Sequence, residues 1–322
     1  MKIKPIKIGN KKVGENDHCY IIAEIGSNFD GKISKAKKLI KLAKECGADA
    51  AKFQSFKTVE LLAKEGFKKK DSFQSKWKKS VWQTYEDAEL PRKWHKELNQ
   101  YAKKIDIDFF TSPWDFDAVE LLDKINVPAI KVGSGDITYL KMLKHIGSKQ
   151  RPVLLATGAS NLQEIQRAVK VIQSTGNKKI ILMRSVVLYP SPLNEANVKS
   201  LITLKEKFNL NVGYSDHSPG SLVALASVAL GACVIEKHFT VNPKLTGPDH
   251  PHSMDPKSFK KMVKDIRDLK STLGNGNIIP QSSEKETRII QRRGIWTIKE
   301  IKKGERFTLE NIKALRPNFG IS

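Results

Sequence analysis

Long apolar runs are missing from this 322-residue chain. None approaches the ~20 residues that a membrane-spanning helix needs, so no membrane association is expected. Cysteine is scarce: Cys19, Cys46 and Cys233 stand far apart. That spacing excludes a disulfide framework and points to buried thiols in a reducing, cytoplasmic setting. The first residues, Met1 to Gly9, alternate lysine with isoleucine. They read as a strand of a β-hairpin rather than a signal peptide. Acidic residues are outnumbered, 34 against 57 lysines and arginines, for a net charge of +23. The lysines are spread over nearly every expected helix, as a solvated polar face is, so a nucleic-acid partner is not expected. Such a field favours encounter with small anionic substrates.

What is present is a repeating unit: a short apolar strand, a polar turn and an amphipathic helix. After a hairpin over residues 1–19, the unit occurs eight times between Tyr20 and Gly274. That is close to the ~250 residues of an α/β protein built as a (β/α)₈ TIM barrel. A doubly wound open sheet is the runner-up, but it normally places a glycine-rich phosphate loop after its first strand, and Glu24-Ile-Gly-Ser-Asn28 is not one. Ser34 is read as the N-cap of the first helix. Overlapping capping boxes, Ser160 with Gln163 and Asn161 with Glu164, open the fifth. Asp255-Pro256 opens the last. Residues 275–293 read as a linker, and 294–322 as a small β-rich unit too short to close a core of its own.

The strand ends carry the chemistry. They finish in Glu24, Lys52 with Gln54, Thr111 with Ser112, Lys131 with Ser134 and Asp136, Thr157, and Arg184 with Ser185. The last two finish in Ser215-Asp216-His217 and Glu236-Lys237-His238. In a closed barrel these positions converge on one mouth. Charged groups are costly in a core, so such a ring implies a polar ligand. A single Ser or Thr in the set is as readily a helix cap, but Lys52, Lys131 and Lys237 together are not. His217 and His238 follow consecutive parallel strands about 5 Å apart, within reach of one shared metal ion. Between Lys57 and Pro91 a long loop interleaves lysines with aromatics from Lys64 to Trp82. A lid over the substrate is favoured there over a single-strand nucleic-acid surface.

Several of these stretches resemble the sialic acid (N-acetylneuraminate) synthase family. They are Ala23-Glu-Ile-Gly-Ser-Asn28, Ala51-Lys-Phe-Gln54, Lys131-Val-Gly-Ser-Gly-Asp136, Tyr189-Pro190, Ser215-Asp-His-Ser218, Glu236-Lys-His-Phe-Thr240 and Gly247-Pro-Asp249. The stretch from Gly294 to Ile321 is similar to that family's antifreeze-like (SAF) domain, here incomplete. The resemblance implies a transferase condensing phosphoenolpyruvate with an N-acylated hexosamine such as N-acetylmannosamine. It implies dependence on Mn²⁺ or Mg²⁺, and a homodimer in which one small domain covers the other subunit's site. His217 and His238 then bind the metal. Lys52, Lys131, Thr111, Ser134 and Ser215 match phosphoenolpyruvate-binding positions, and Asp136 closes the same motif as a substrate-binding position. Glu24, Gln54, Tyr189 and Asp249 match sugar-binding positions, with Glu24 placed to handle the attacking water. Arg316 matches the arginine lent to the neighbouring site. Departures are Phe29-Asp30 for His-Asn, Arg184-Ser-Val-Val187 for His-Cys-Thr-Asn/Ser, Ala156 for a common Ser, and Asn318 for Gly. Another phosphoenolpyruvate-condensing synthase on the same barrel, or a catalytically degenerate sugar- or nucleic-acid-binding barrel, are the competing readings. Synthases of the heptulosonate kind often ligate metal through cysteine, and no cysteine here ends a strand.

Overall fold

The computed structural model describes residues 3–68, 74 and 79–320, so much of the Lys64–Trp82 stretch lies outside the described residues. The chain divides into two compact units, Met1–Leu273 and Gly274–Ser322.

The first unit opens with an antiparallel hairpin, β1 (Ile6–Ile8) and β2 (Lys11–Val13), turning at Gly9-Asn10. Eight parallel strands follow: β3 (Tyr20–Glu24), β4 (Ala50–Ser55), β5 (Asp108–Pro113), β6 (Ile130–Val132), β7 (Val153–Ala156), β8 (Ile180–Ser185), β9 (Asn211–Asp216) and β10 (Val234–His238). They pair in the order β5-β4-β3-β10-β9-β8-β7-β6, and β5 and β6 lie against each other, so the sheet is a nearly closed barrel. The strands are buried almost throughout. This is why they read as continuous apolar runs rather than alternating ones. Helices surround them: α1 (Ile33–Glu45), α2 (Thr58–Leu61), α3 (Val81–Ala88), α4 (Trp94–Lys104), α5 (Phe116–Lys124), α6 (Leu140–Ser148), α7 (Leu162–Gln173), α8 (Ser200–Phe208), α9 (Leu222–Ala229) and α10 (Pro256–Thr272).

Local sequence explains most helix ends. Asp115 caps α5 by accepting from Ala118 N at 2.7 Å. Asp255 caps α10 by accepting from Lys257 N and Ser258 N, with Pro256 at the first helical position. Buried Ala36, Leu39, Ile40 and Ala43 form the inner face of α1, which starts at Ile33 behind Lys32 with no side-chain cap, not at Ser34. Of the two boxes before α7 only Asn161–Glu164 forms; the Ser160 hydroxyl donates to Gly158 O instead. The long second loop is partly helical, since Ser80 caps α3 through Gln83 N.

The second unit holds a short helix, α11 (Lys285–Ile290), and an antiparallel pair, β11 (Gly294–Thr297) with β12 (Ile312–Leu315). Apolar Ile278, Phe307, Leu309 and Phe319 are largely exposed there. No described helix is long and apolar enough to cross a membrane.

Candidate active site

The carboxyl ends of the strands carry a buried ionic quartet. Lys52 Nζ lies 2.7 Å from Glu24 Oε2 and 3.7 Å from Glu236 Oε2. Lys131 Nζ lies 3.1 Å from Glu236 Oε1. Register produces this arrangement: Glu24 pairs with Lys52 across β3–β4, and Glu236 with Ser215 across β9–β10. Ser215 Oγ donates to Glu236 Oε1 at 2.7 Å, Gln54 Nε2 to Glu24 Oε1 at 2.9 Å and Lys52 Nζ to Ser112 Oγ at 3.2 Å. Two cations and two carboxylates, none more than 5% exposed, satisfy one another where an unpaired charge would be very costly.

The four do not titrate alike. Burial pushes the Glu24 carboxyl up, an effect that Lys52 only partly offsets. Burial acts on Glu236 in the same sense, but Lys131 and Lys52 outweigh it and hold the carboxyl down. Burial also lowers Lys131, against the pull of Glu236. Two carboxylates with diverging environments beside two lysines form a site able to carry both a fixed negative charge and a movable proton.

A second layer lies at the mouth. The Tyr189 ring contacts His217 at 4.1 Å, His252 at 5.0 Å and His238 at 5.8 Å between centroids. His217 and His238 are 5.6 Å apart, His238 and His252 only 4.6 Å. His217 Nδ1 lies 2.7 Å from Val186 O, which can only accept, so Nδ1 carries the proton and Nε2 the lone pair. Burial lowers His217 to about 4, His238 well below the usual range, and His252 in the same direction. All three are therefore neutral imidazoles, the metal-binding form. Among the described residues, His238 Nδ1 and His252 Nε2 are buried without hydrogen-bond partners. Ligand atoms of His238, Asp249 and His252 fall within 4.8 Å of one another. Orphaned nitrogens beside a carboxylate are a donor set that fits a divalent cation.

The structure thus joins Glu24, Lys52, Gln54, Lys131 and Ser215 in one layer, and His217, His238, Tyr189 and Asp249 in the next. Thr111 is buried on β5, its hydroxyl without a partner among the described residues. Ser134 Oγ accepts from Gly158 N at 3.1 Å. Asp136 is raised to about 6 by burial and its Oδ2 has no partner among the described residues. No described contact joins Asp136 to the quartet. Arg316 is exposed in the second unit. Arg184 donates to Ser200 Oγ and to Ser185 O, so it is turned toward α8 and adds no cation to the quartet. Phe29 packs on Phe53 and Trp94.

Two groups escaped the sequence reading. Glu236 was visible as a strand end, but its place between two lysines depends on register. His252 had a signal, the histidine-rich run Asp249-His-Pro-His252 directly after a loop carboxylate. Beside the imidazole layer, a cavity of about 880 Å³ is lined by Ser27, Asp30, Tyr189, Leu245, Pro248 and His252. A larger basic concavity, about 1420 Å³, lies at the opposite end of the barrel among Lys4, Lys7, Asp108, Lys179 and Asn211. Barrel chemistry belongs to the carboxyl end, so the larger space is not the site.

Fold and site together define a (β/α)₈ barrel with a buried charged centre and an imidazole cluster at the carboxyl ends of its strands. Residues 39–278 match the NeuB family. N,N'-diacetyllegionaminic acid synthase of Campylobacter jejuni is 42% identical over 94% of this chain and 91% of its own length. Pseudaminic acid synthase of Helicobacter pylori is 37% identical over 94% and 89%. The crystal structure of N-acetylneuraminic acid synthetase from Leptospira borgpetersenii superposes with a TM-score of 0.79 at 33% identity, covering 88% of this chain and 95% of that one. The chain belongs to the NeuB family.

Proposed function

We propose that this protein condenses phosphoenolpyruvate with an N-acylated amino-sugar aldose to give a nonulosonic acid and phosphate. The observation that carries the reading is the buried Lys52–Glu236–Lys131 bridge beside the imidazole cluster. Two buried lysines that share one carboxylate suit a small trianion. The Thr111 hydroxyl, unpartnered among the described residues, and that of Ser134, which only accepts from Gly158 N, supply neutral donors for its phosphate and carboxylate. Ser215, whose hydroxyl donates to Glu236, orients the shared carboxylate beside them.

The sugar enters from the mouth, its hydroxyls met by Gln54, Tyr189 and Asp249. The new bond joins C3 of phosphoenolpyruvate to the aldehyde carbon, whose oxygen takes a proton. Water then adds to the electron-poor C2. Glu24, raised by burial, accepts the proton of that water and returns one as the C2–phosphate bond breaks. The products are a 2-keto acid and inorganic phosphate. A divalent cation, Mn²⁺ or Mg²⁺, belongs beside His238, with His217 as the second imidazole in the family's manner. When bound it polarises the sugar carbonyl as a Lewis acid. The reading extends to a homodimer in which Arg316 of the small domain, residues 294–322, serves the partner's site across the 275–293 linker, in a cytoplasmic enzyme.

The test is phosphate release from phosphoenolpyruvate with Mn²⁺ and a sugar panel: N-acetylmannosamine, its 6-phosphate and diacetamido-trideoxy hexoses. Release that depends on one of these sugars supports the reading. Absence of release with every member rejects it.

A further inference from the structure

We infer that Phe56, Tyr85 and Trp114 form an aromatic wall that fixes which acceptor this chain takes: one whose end remote from the aldehyde is apolar and carries no phosphate. The inference rests on the proposed condensation for the direction in which the acceptor lies, and it is tested by binding alone.

The wall grows from two neighbouring strand ends and one helix. The β4–β5 ladder continues past the strands, with Trp114 N donating to Ser55 O at 3.0 Å. Alternation then carries Phe56 to the face of Gln54, two residues back, and Trp114 to the face of Ser112. The Phe56 and Trp114 rings stack, with 5.1 Å between centroids and 25° between planes. Trp114 is backed by the end of β6, where a Cβ on Gly133 would lie 3.1 Å from its Nε1. Tyr85 of α3 packs on Phe56 from the other side of the chain, at 5.6 Å between centroids.

The three rings line one cavity of about 180 Å³ together with Gln54, Tyr189 and Asp249, the residues read as meeting the sugar. Gln54 joins this cavity to the charged layer, donating to Glu24 Oε1 at 2.9 Å. The acceptor's aldehyde carbon has to reach C3 of phosphoenolpyruvate in that layer. Strand geometry sets Phe56 about 6–7 Å further out than Gln54, so the rings face the carbons at the far end of the acceptor. Aromatic faces gain by covering methyl groups there, such as a C6 methyl or an acetamido methyl. Asp249 is the one ionised side chain among the described residues that line the cavity. A sugar phosphate brought to this end would lose its water beside a carboxylate, with no described cation to meet it.

The experiment uses alditols made by reducing each aldehyde, so that they bind without condensing. The probes are those of a diacetamido-trideoxy hexose, of N-acetylmannosamine and of its 6-phosphate. Each is titrated into full-length protein with phosphoenolpyruvate and Mg²⁺, and binding is read by saturation-transfer difference NMR. The deoxy probe should bind at least about tenfold more tightly than either of the others, since one carbon in an apolar pocket is typically worth about 10–200-fold. Its methyl protons should receive the most saturation. Tyr85→Ala and Trp114→Ala should each narrow the preference by about tenfold, while Tyr85→Phe, which keeps the ring, should preserve it. A merely structural loss would weaken all the probes together and leave their ratio unchanged. Melting temperatures check the fold, and Tyr85→Ala on helix α3 serves if Trp114→Ala does not fold. Equal binding of the deoxy and phosphorylated probes, no binding by any probe, or an unchanged ratio in the folded alanine variants overturns the inference. Phosphate release with the parent aldehydes is scored separately. Selectivity without release would sink the condensation alone, and release without selectivity would sink the wall alone.

Discussion

Asp216 and Lys237 face each other on one rung of β9–β10 and close an ion pair at 2.7 Å, each about 1% exposed. The rung before it pairs Ser215 with Glu236 inside the barrel. Alternation along the strands therefore puts the Asp216–Lys237 pair on the opposite face of the sheet. The next residues along both strands are His217 and His238. Lys237 also donates to Ser218 O, while Asp216 Oδ1 accepts from Ser218 N and Oγ at 2.8 and 2.6 Å. The pair clamps the two loops from which the imidazoles project.

Removing one partner should therefore be worse than removing both. Lys237→Met leaves Asp216 buried and uncompensated, which should cost about 3–5 kcal/mol. The double variant Asp216→Asn/Lys237→Met should lose clearly less. Urea denaturation followed by circular dichroism measures both, and equal losses would show that the pair is not energetically coupled.

The lysines of the quartet make a kinetic prediction. Lys52→Met or Lys131→Met should raise the KM for phosphoenolpyruvate or abolish turnover, since a charge-assisted hydrogen bond contributes about 1.5–3 kcal/mol. KM for the sugar should move less. Unchanged saturation by phosphoenolpyruvate in both variants would make these lysines structural.

Much of this architecture was legible from local signals. The strand–turn–helix repeat and the Asp255-Pro256 cap depend on residues near one another, and both appear where the pattern put them. So does the charged ring at the strand ends. What was illegible depends on distance or on competition between similar residues. Ser160 and Asn161 carry equivalent capping signals; only the structure shows that Ser160 turns to Gly158 O. Arg184 sits at a strand end like Lys131, yet its longer reach takes it to Ser200 on α8. Helix α3 lies in a lysine-rich stretch of low apolar periodicity. Its Ser80 cap and the Trp82–Glu86 and Gln83–Asp87 bonds define it.

Asp136 should make stability depend on pH. Burial raises its carboxyl from 3.8 to about 6 in the folded protein, so folding favours the protonated form. The contribution is present in full below the unfolded value and is lost as pH rises through about 6. Asp136→Asn should thus raise the melting temperature at pH 8 and leave it nearly unchanged near pH 3.5, relative to wild type. Equal shifts at both pH values would show that Asp136 is solvated or partnered when charged.

The last prediction concerns residues 294–322. Ile295, Trp296, Phe307 and Leu309 are exposed in the second unit, apolar surface that a unit this small cannot cover itself. If that surface belongs against a second subunit, with Arg316 reaching the partner's sugar site, defects in tail and barrel should complement. Arg316→Ala subunits have a sound barrel and a defective tail; Lys131→Met subunits have the reverse. Each preparation alone should release little phosphate. After subunit exchange a mixed dimer holds one site with both residues intact, so part of the activity should return. Exchange is followed independently by native mass spectrometry of differently tagged subunits. Demonstrated mixed dimers without recovered phosphate release would mean that the tail serves its own barrel or takes no part in the reaction.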